Sequence, residues 1–130
     1  MSPADDRHGG GDARRVEKPW GYELIWVEAP AYVGKLLHID AGKRLSLQRH
    51  EVKDEAIYVL SGRMRLSLED NGGTVRAEEL GPGEHRRVPT GRIHRYEAIE
   101  PTDLMEVSTT ELDDVVRLED DYGREGTSAP

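Results

Sequence analysis

The chain has 130 residues, a formal net charge of −8, no cysteine, 14 glycines, 7 prolines, no phenylalanine and 35% hydrophobic residues. That length suits one domain, and the composition suits a turn-rich β fold with a modest core over a helical bundle. The acidic balance carries no nucleic-acid footprint, the missing cysteines exclude a disulfide framework and a thiolate metal site, and no apolar run reaches the length of a signal peptide or membrane span, so a cytoplasmic protein with no membrane partner is expected.

Residues 1–15 are polar and glycine-rich without periodicity, and are expected to form a disordered tail in which His8 is a bystander. The domain is expected over residues 16–124, followed by a tail over 125–130. Gly21–Glu28 reads as a first strand between Pro19 and Pro30. Trp20 and Trp26 either line a sugar pocket or pack in the core. Ala31–Asp40 reads as a second strand, with Lys35, Leu37 and Ile39 on one face and Leu36 and His38 on the other. Lys35 is either an anion contact or a solvent-facing lysine. Gly42–Gly62 reads as a hairpin around the charged turn Glu51–Asp54. In Arg63–Asp70, Met64, Leu66 and Leu68 alternate with polar residues, and Asn71-Gly72-Gly73 is a hairpin turn. Thr74–Leu80 returns, and Gly81-Pro82-Gly83 turns again. Glu84–Val88 and Ile93–Glu100 flank the turn Pro89-Thr90-Gly91. Leu104–Ser108 is a further strand, and Val115–Leu118 is a last strand or a short helix.

Two of these pieces carry the chemistry. Side chains alternate faces along a strand, so Gln48 and His50 point the same way, and so do Glu55, Ile57 and Val59. If the two faces coincide, an amide, an imidazole and a carboxylate meet inside the fold. A buried carboxylate without a partner is costly, and a divalent cation removes that cost with Gln, His and Glu as ligands. His94, after the Pro89-Thr90-Gly91 turn, offers a fourth ligand. Tyr96 and Ala98 share its face, and Tyr96 is a candidate hydrogen-bond donor to a ligand. Arg44 and Ser46 are expected on the face of Gln48, where an inward arginine would need an anion.

The order and spacing of these residues resemble the cupin superfamily. Its first motif is matched by Gly42, His50, Glu55 and Gly62, with Gln48 where the first histidine usually stands. Its second is matched by Gly83, Pro89, Gly91 and His94, with Ala98 in place of the usual asparagine. The Gln48-x-His50 variant is similar to the phosphomannose isomerase branch. Lys18-Pro19-Trp20-Gly21-Tyr22-Glu23, His94-Arg95 and Glu111–Arg124 look like the isomerase domain that closes bifunctional mannose-1-phosphate guanylyltransferase/mannose-6-phosphate isomerases. The resemblance implies an all-β, single-domain cupin β-barrel, a double-stranded β-helix or jelly roll. It implies a divalent metal on Gln48, His50, Glu55 and His94, zinc first, with manganese, nickel or iron as alternatives.

It further implies aldose–ketose isomerisation of a phosphorylated sugar such as mannose 6-phosphate, with Arg44, Lys53 or Lys35 on the phosphate and no residue named as the base. Ala56-Ile57 stands where those isomerases carry His-Trp. The alternative readings are another metallocupin, such as an oxygenase, lyase or epimerase on a small carbonyl compound, and a non-catalytic sugar-binding cupin. A homodimer formed through the early strands is the expected partner arrangement.

Overall fold

The computed structural model describes residues 13–127. Among them run twelve strands: β1 (Arg14–Lys18), β2 (Gly21–Glu28), β3 (Val33–Ile39), β4 (Leu47–Arg49), β5 (Glu55–Ser61), β6 (Met64–Glu69), β7 (Val75–Leu80), β8 (His85–Val88), β9 (His94–Ala98), β10 (Thr102–Ser108), β11 (Val116–Glu119) and β12 (Gly126–Thr127). They build two six-stranded sheets, ordered β1-β2-β3-β10-β5-β8 and β12-β11-β4-β9-β6-β7. Every pairing is antiparallel. This is the all-β cupin barrel that the two motifs imply. No helix among the described residues is long and apolar enough to cross a membrane.

Alternation decides what fills the barrel. Leu37 and Ile39 of β3, Ile57 and Val59 of β5, Met64 and Leu66 of β6, Tyr96 and Ala98 of β9 and Leu104 of β10 all point inward and pack with Trp20, Leu45, Leu80 and Val88. Trp20 is therefore core, whereas Trp26 is exposed on the outer face. Farther along the same strands the inward positions turn polar: Lys35 on β3, Glu55 on β5, His94 on β9 and Glu106 on β10, all buried. One part of the barrel is dry and the other holds charge.

Several expectations need correcting. Arg14 and Arg15, expected in the disordered tail, pair with Ile25 and Leu24 as the edge strand β1. Edge strands tolerate charge because one side of their backbone faces solvent, so hydropathy does not announce them. The call on His8 and the rest of residues 1–12 lies outside the described residues. Gly126, expected in the C-terminal tail, lies on β12 opposite Arg117. Val116–Glu119 is a strand, not a helix, because it adds to β4 with Arg117 opposite Gln48.

The turn at Gly62 joins β5 to β6 at φ +92°. A Cβ there would lie 2.1 Å from the Pro101 carbonyl oxygen, so the position needs both the left-handed backbone and the missing side chain.

Candidate metal centre

His94 opens β9, and its backbone register places it opposite Gln48 of β4, which is in turn opposite Arg117 of β11. Directly paired residues project to the same face, so this row of three looks into the barrel. Glu55 opens β5 from the facing sheet. His50 sits just past β4, where Gly91 N–H donates to its carbonyl at 2.9 Å and ties the two motif turns together. Donor atoms of His50, Glu55 and His94 lie within 4.8 Å of one another, and all three residues are buried. Gln48 lines the same cavity.

The hydrogen bonds fix which imidazole nitrogen faces inward. His94 Nδ1 meets the Arg92 carbonyl oxygen at 2.9 Å, and His50 Nδ1 meets the Asp114 carbonyl oxygen at 2.5 Å. A carbonyl only accepts, so each Nδ1 carries hydrogen and each Nε2 is turned to the centre. There, His50 Nε2 lies 3.1 Å from Glu55 Oε1, and His94 Nε2 lies 3.8 Å from Glu55 Oε2. A proton can bridge the first gap but not the second. A cation bridges both, since donors about 2.1 Å from a tetrahedral ion stand roughly 3.4 Å apart. Glu55 Oε1 and His94 Nε2 are buried without a hydrogen-bond partner, as is Glu106 Oε2. Orphaned polar atoms of this kind are rare and costly. The donor set fits a divalent ion: two imidazole nitrogens and a carboxylate about one centre, with the Gln48 amide lining the same cavity.

The electrostatics agree. Burial pushes the His94 imidazole below its ordinary range, which keeps its lone pair free. Burial alone would raise the Glu55 carboxyl, but the Lys53 ammonium and His50 hold it well below the usual carboxylate range. The Tyr96 hydroxyl donates to Glu55 Oε2, and burial, then the Glu55 charge, push that phenol well up. Lys53 Nζ stands 3.3 Å from Glu55 Oε1 and 3.4 Å from Glu106 Oε2. Burial opposes its charge, yet Glu106 and Glu55 raise its pKa above the ordinary lysine value. Burial and the neighbouring Glu55 raise the Glu106 carboxyl.

The enclosed space is about 50 Å³. That holds an ion and a few waters, whereas sites for small organic molecules run to several hundred Å³. Besides Glu23, Glu55 and Glu106, the cavity lining carries the basic residues Lys18, Lys35, Lys53, Arg117 and Arg124. Burial, with Lys35, Arg124 and Arg117 close by, depresses the Lys18 ammonium. Lys35 meets Glu23 at 3.3 Å, and Arg124 meets Asp120 at 2.9 Å.

The structure brings donor atoms of His50, Glu55 and His94 together, and Gln48 lines the cavity with His50 and Glu55. It separates the expected ligand-binding residues. Arg44 points outward onto Asp121, with contacts of 2.7 and 2.9 Å, and does not line the cavity. Strict alternation failed there because Leu45 and Ser46 are both buried in an irregular stretch before β4. Lys53 and Tyr96 do line the cavity, but their polar atoms are committed to Glu55 and, for Lys53, to Glu106. Lys35 is not solvent-facing: it is buried, lines the cavity and stands 3.3 Å from Glu23. Glu106, Lys18, Arg117 and Arg124 had not been singled out. The parity of β10, with Thr102, Leu104, Glu106 and Ser108 all buried, was the available signal for Glu106.

Residues 5–120 match the family model described as mannose-6-phosphate isomerase C-terminal. The chain is 38% identical over 127 residues to mannose-1-phosphate guanylyltransferase ManC of Salmonella typhimurium, covering 93% of this chain and 25% of that protein. It is 35% identical over 127 residues to mannose-1-phosphate guanylyltransferase of Escherichia coli, with the same coverage. It is 33% identical over 120 residues to xanthan biosynthesis protein XanB of Xanthomonas campestris, covering 85% of this chain and 24% of that protein. The chain thus spans about a quarter of the length of the curated relatives it matches. Among solved structures, a Bacillus subtilis oxalate decarboxylase superposes with a TM-score of 0.73 at 19% identity, over 82% of this chain and 30% of that one. KdgF from a Halomonas species superposes with a TM-score of 0.63 at 24% identity, over 78% and 89%. These likenesses show the fold alone. The names of the two relatives most fully covered overturn one expectation: they denote guanylyl transfer to mannose 1-phosphate, not aldose–ketose isomerisation, so the isomerase reading does not stand.

Proposed function

The chain belongs to the mannose-6-phosphate isomerase C-terminal family, and we propose that it serves mannose-phosphate metabolism as a metallocupin domain that holds a divalent ion and, over it, a phosphorylated mannose. Gln48, His50, Glu55 and His94 hold the ion, zinc first, with manganese, nickel or iron as alternatives. Once bound, the ion supplies Lewis acidity to a sugar oxygen reaching the cavity. Tyr96 and Lys53 hold the Glu55 carboxylate in place and ionised. Lys18, Lys35, Arg117 and Arg124, which line the cavity, supply the cationic groups that take the phosphate. The sugar named by the relatives, mannose 1-phosphate, is the ligand to try first.

The observation that carries this reading is the inward, unpartnered Nε2 of His94 facing the partly unpartnered Glu55 carboxylate in a buried site. The test is metal analysis of the purified chain, followed by calorimetric titration of mannose 1-phosphate into the metal-loaded form. One divalent ion per chain is expected, lost in His50→Ala and His94→Ala while the β spectrum persists, and sugar-phosphate binding weakened in Arg117→Ala. A chain that keeps no ion and gains no thermal stability from zinc, manganese, nickel or iron overturns the metal reading. A loaded chain blind to mannose 1-phosphate overturns the ligand reading.

A further inference from the structure

The loop that carries His50 into Glu55 has no strand partner of its own. Its backbone donors are nonetheless met in succession. The Asp114 carboxylate accepts from Glu51 N–H at 3.0 Å, Val52 N–H at 2.7 Å and Lys53 N–H at 2.8 Å. Asp54 N–H donates to Thr109 Oγ1 at 3.0 Å. The backbone carbonyl of the same Asp114 accepts from His50 Nδ1. A single residue therefore holds three consecutive amides and the imidazole. Charge-assisted bonds of this kind are shorter and stronger than neutral ones. Burial opposes ionisation of Asp114, but those three donors keep its carboxyl below the usual range.

Asp114 sits on the segment 110–115, a run of tight turns leading into β11. Leu112 and Val115 on either side of it line the cavity, as do Arg117 and Arg124 farther on. The wall that closes the pocket and the brace of the His50 loop are one piece of chain.

We infer that Asp114 is a positioning residue: it sets the orientation of His50 and thereby couples the pocket-closing segment 110–124 to the metal affinity of the site. This rests on the metal reading above. Removing the carboxylate frees three amides and lets the His50 loop swing. The Asp114 main-chain carbonyl remains, but the freed loop no longer holds His50 Nδ1–H against it, and the ion loses a preset ligand. Partners that orient a ligating histidine are typically worth about 10–100-fold in metal affinity.

The experiment uses the full chain with cobalt(II) as the probe. Its dissociation constant is measured by titration and its visible absorption band reports ligand geometry. Asp114→Ala and Asp114→Asn are compared with Thr109→Val, which removes the acceptor for Asp54 N–H but leaves His50 untouched. The two Asp114 variants are expected to bind cobalt about 10–100-fold more weakly with an altered band, and Thr109→Val to keep the native band. A cobalt affinity and band in Asp114→Asn equal to those of the native chain would overturn the inference. Should the native chain itself take up no cobalt, the metal reading fails and a second measurement decides this one. Nitrogen NMR of the His50 ring and amide exchange at Glu51, Val52 and Lys53 are expected to show the tautomer and the protection lost in Asp114→Ala. If both are unchanged there, Asp114 does not position His50.

Discussion

Replacing Lys53 with methionine isolates the charge balance of the site. The substitution keeps the stem and removes the ammonium that stands 3.3 Å from Glu55 and 3.4 Å from Glu106. The two carboxylate oxygens are then no more than about 6.7 Å apart, and at an effective dielectric constant of about 20 their repulsion is at least about 2.5 kcal/mol. Breaking a buried charge pair by removing one partner costs about 3–5 kcal/mol overall. For a chain of this size that lowers the unfolding midpoint of the metal-free protein by roughly 10–18 °C. The assay is differential scanning fluorimetry with and without chelator. A divalent ion on Glu55 replaces the missing positive charge, so zinc should stabilise Lys53→Met more than the native chain. A metal-free midpoint within about 4 °C of native would refute the reasoning, because it would mean the two carboxylates do not both depend on Lys53.

The remaining predictions follow from single contacts. Chelating the metal from the native chain should lower its midpoint by about 10 °C when free ion had stood at a hundred times its dissociation constant, read in the same thermal assay. Tyr96→Phe leaves Glu55 Oε2 without its hydroxyl donor and should destabilise the metal-free chain by about 1.5–3 kcal/mol in urea unfolding. Gly62→Ala places a Cβ against the Pro101 carbonyl oxygen at positive φ and should cost about 3 kcal/mol or more by the same measurement. Arg44→Ala removes only the outward pair with Asp121, so its midpoint should move by less than about 4 °C and its sugar-phosphate affinity should match the native chain.

Three of the candidate ligands were legible because each sits where alternation holds. Gln48 lies on β4, Glu55 opens β5 and His94 opens β9, so parity alone sent them inward. Arg44 was misplaced because the stretch before β4 is irregular and buries two successive residues, Leu45 and Ser46, so strand parity does not carry through it. Lys53 was expected on a phosphate from its place in a charged turn, and only the approach of β10 with Glu106 makes it an interior cation paired within the protein. Asp114 was beyond sequence reasoning for a similar reason. Its partners lie 61 to 63 positions earlier, and nothing local to residues 110–115 points to the loop they cap. The basic mouth was hidden in the same way, since Lys18 and Arg124 come from nearly opposite ends of the described chain and meet only when the sheets close.

The distance between Asp114 and the loop it holds has a consequence for how the protein is made. A ribosome adds roughly 5–20 residues per second, so the 61 positions from Lys53 to Asp114 take about 3–12 s to translate. Through that interval the nascent chain already carries His50 and Glu55, and later His94, but not the carboxylate that sets the loop. On the proposed metal reading, the preset site is complete only once the segment around Asp114 has been made.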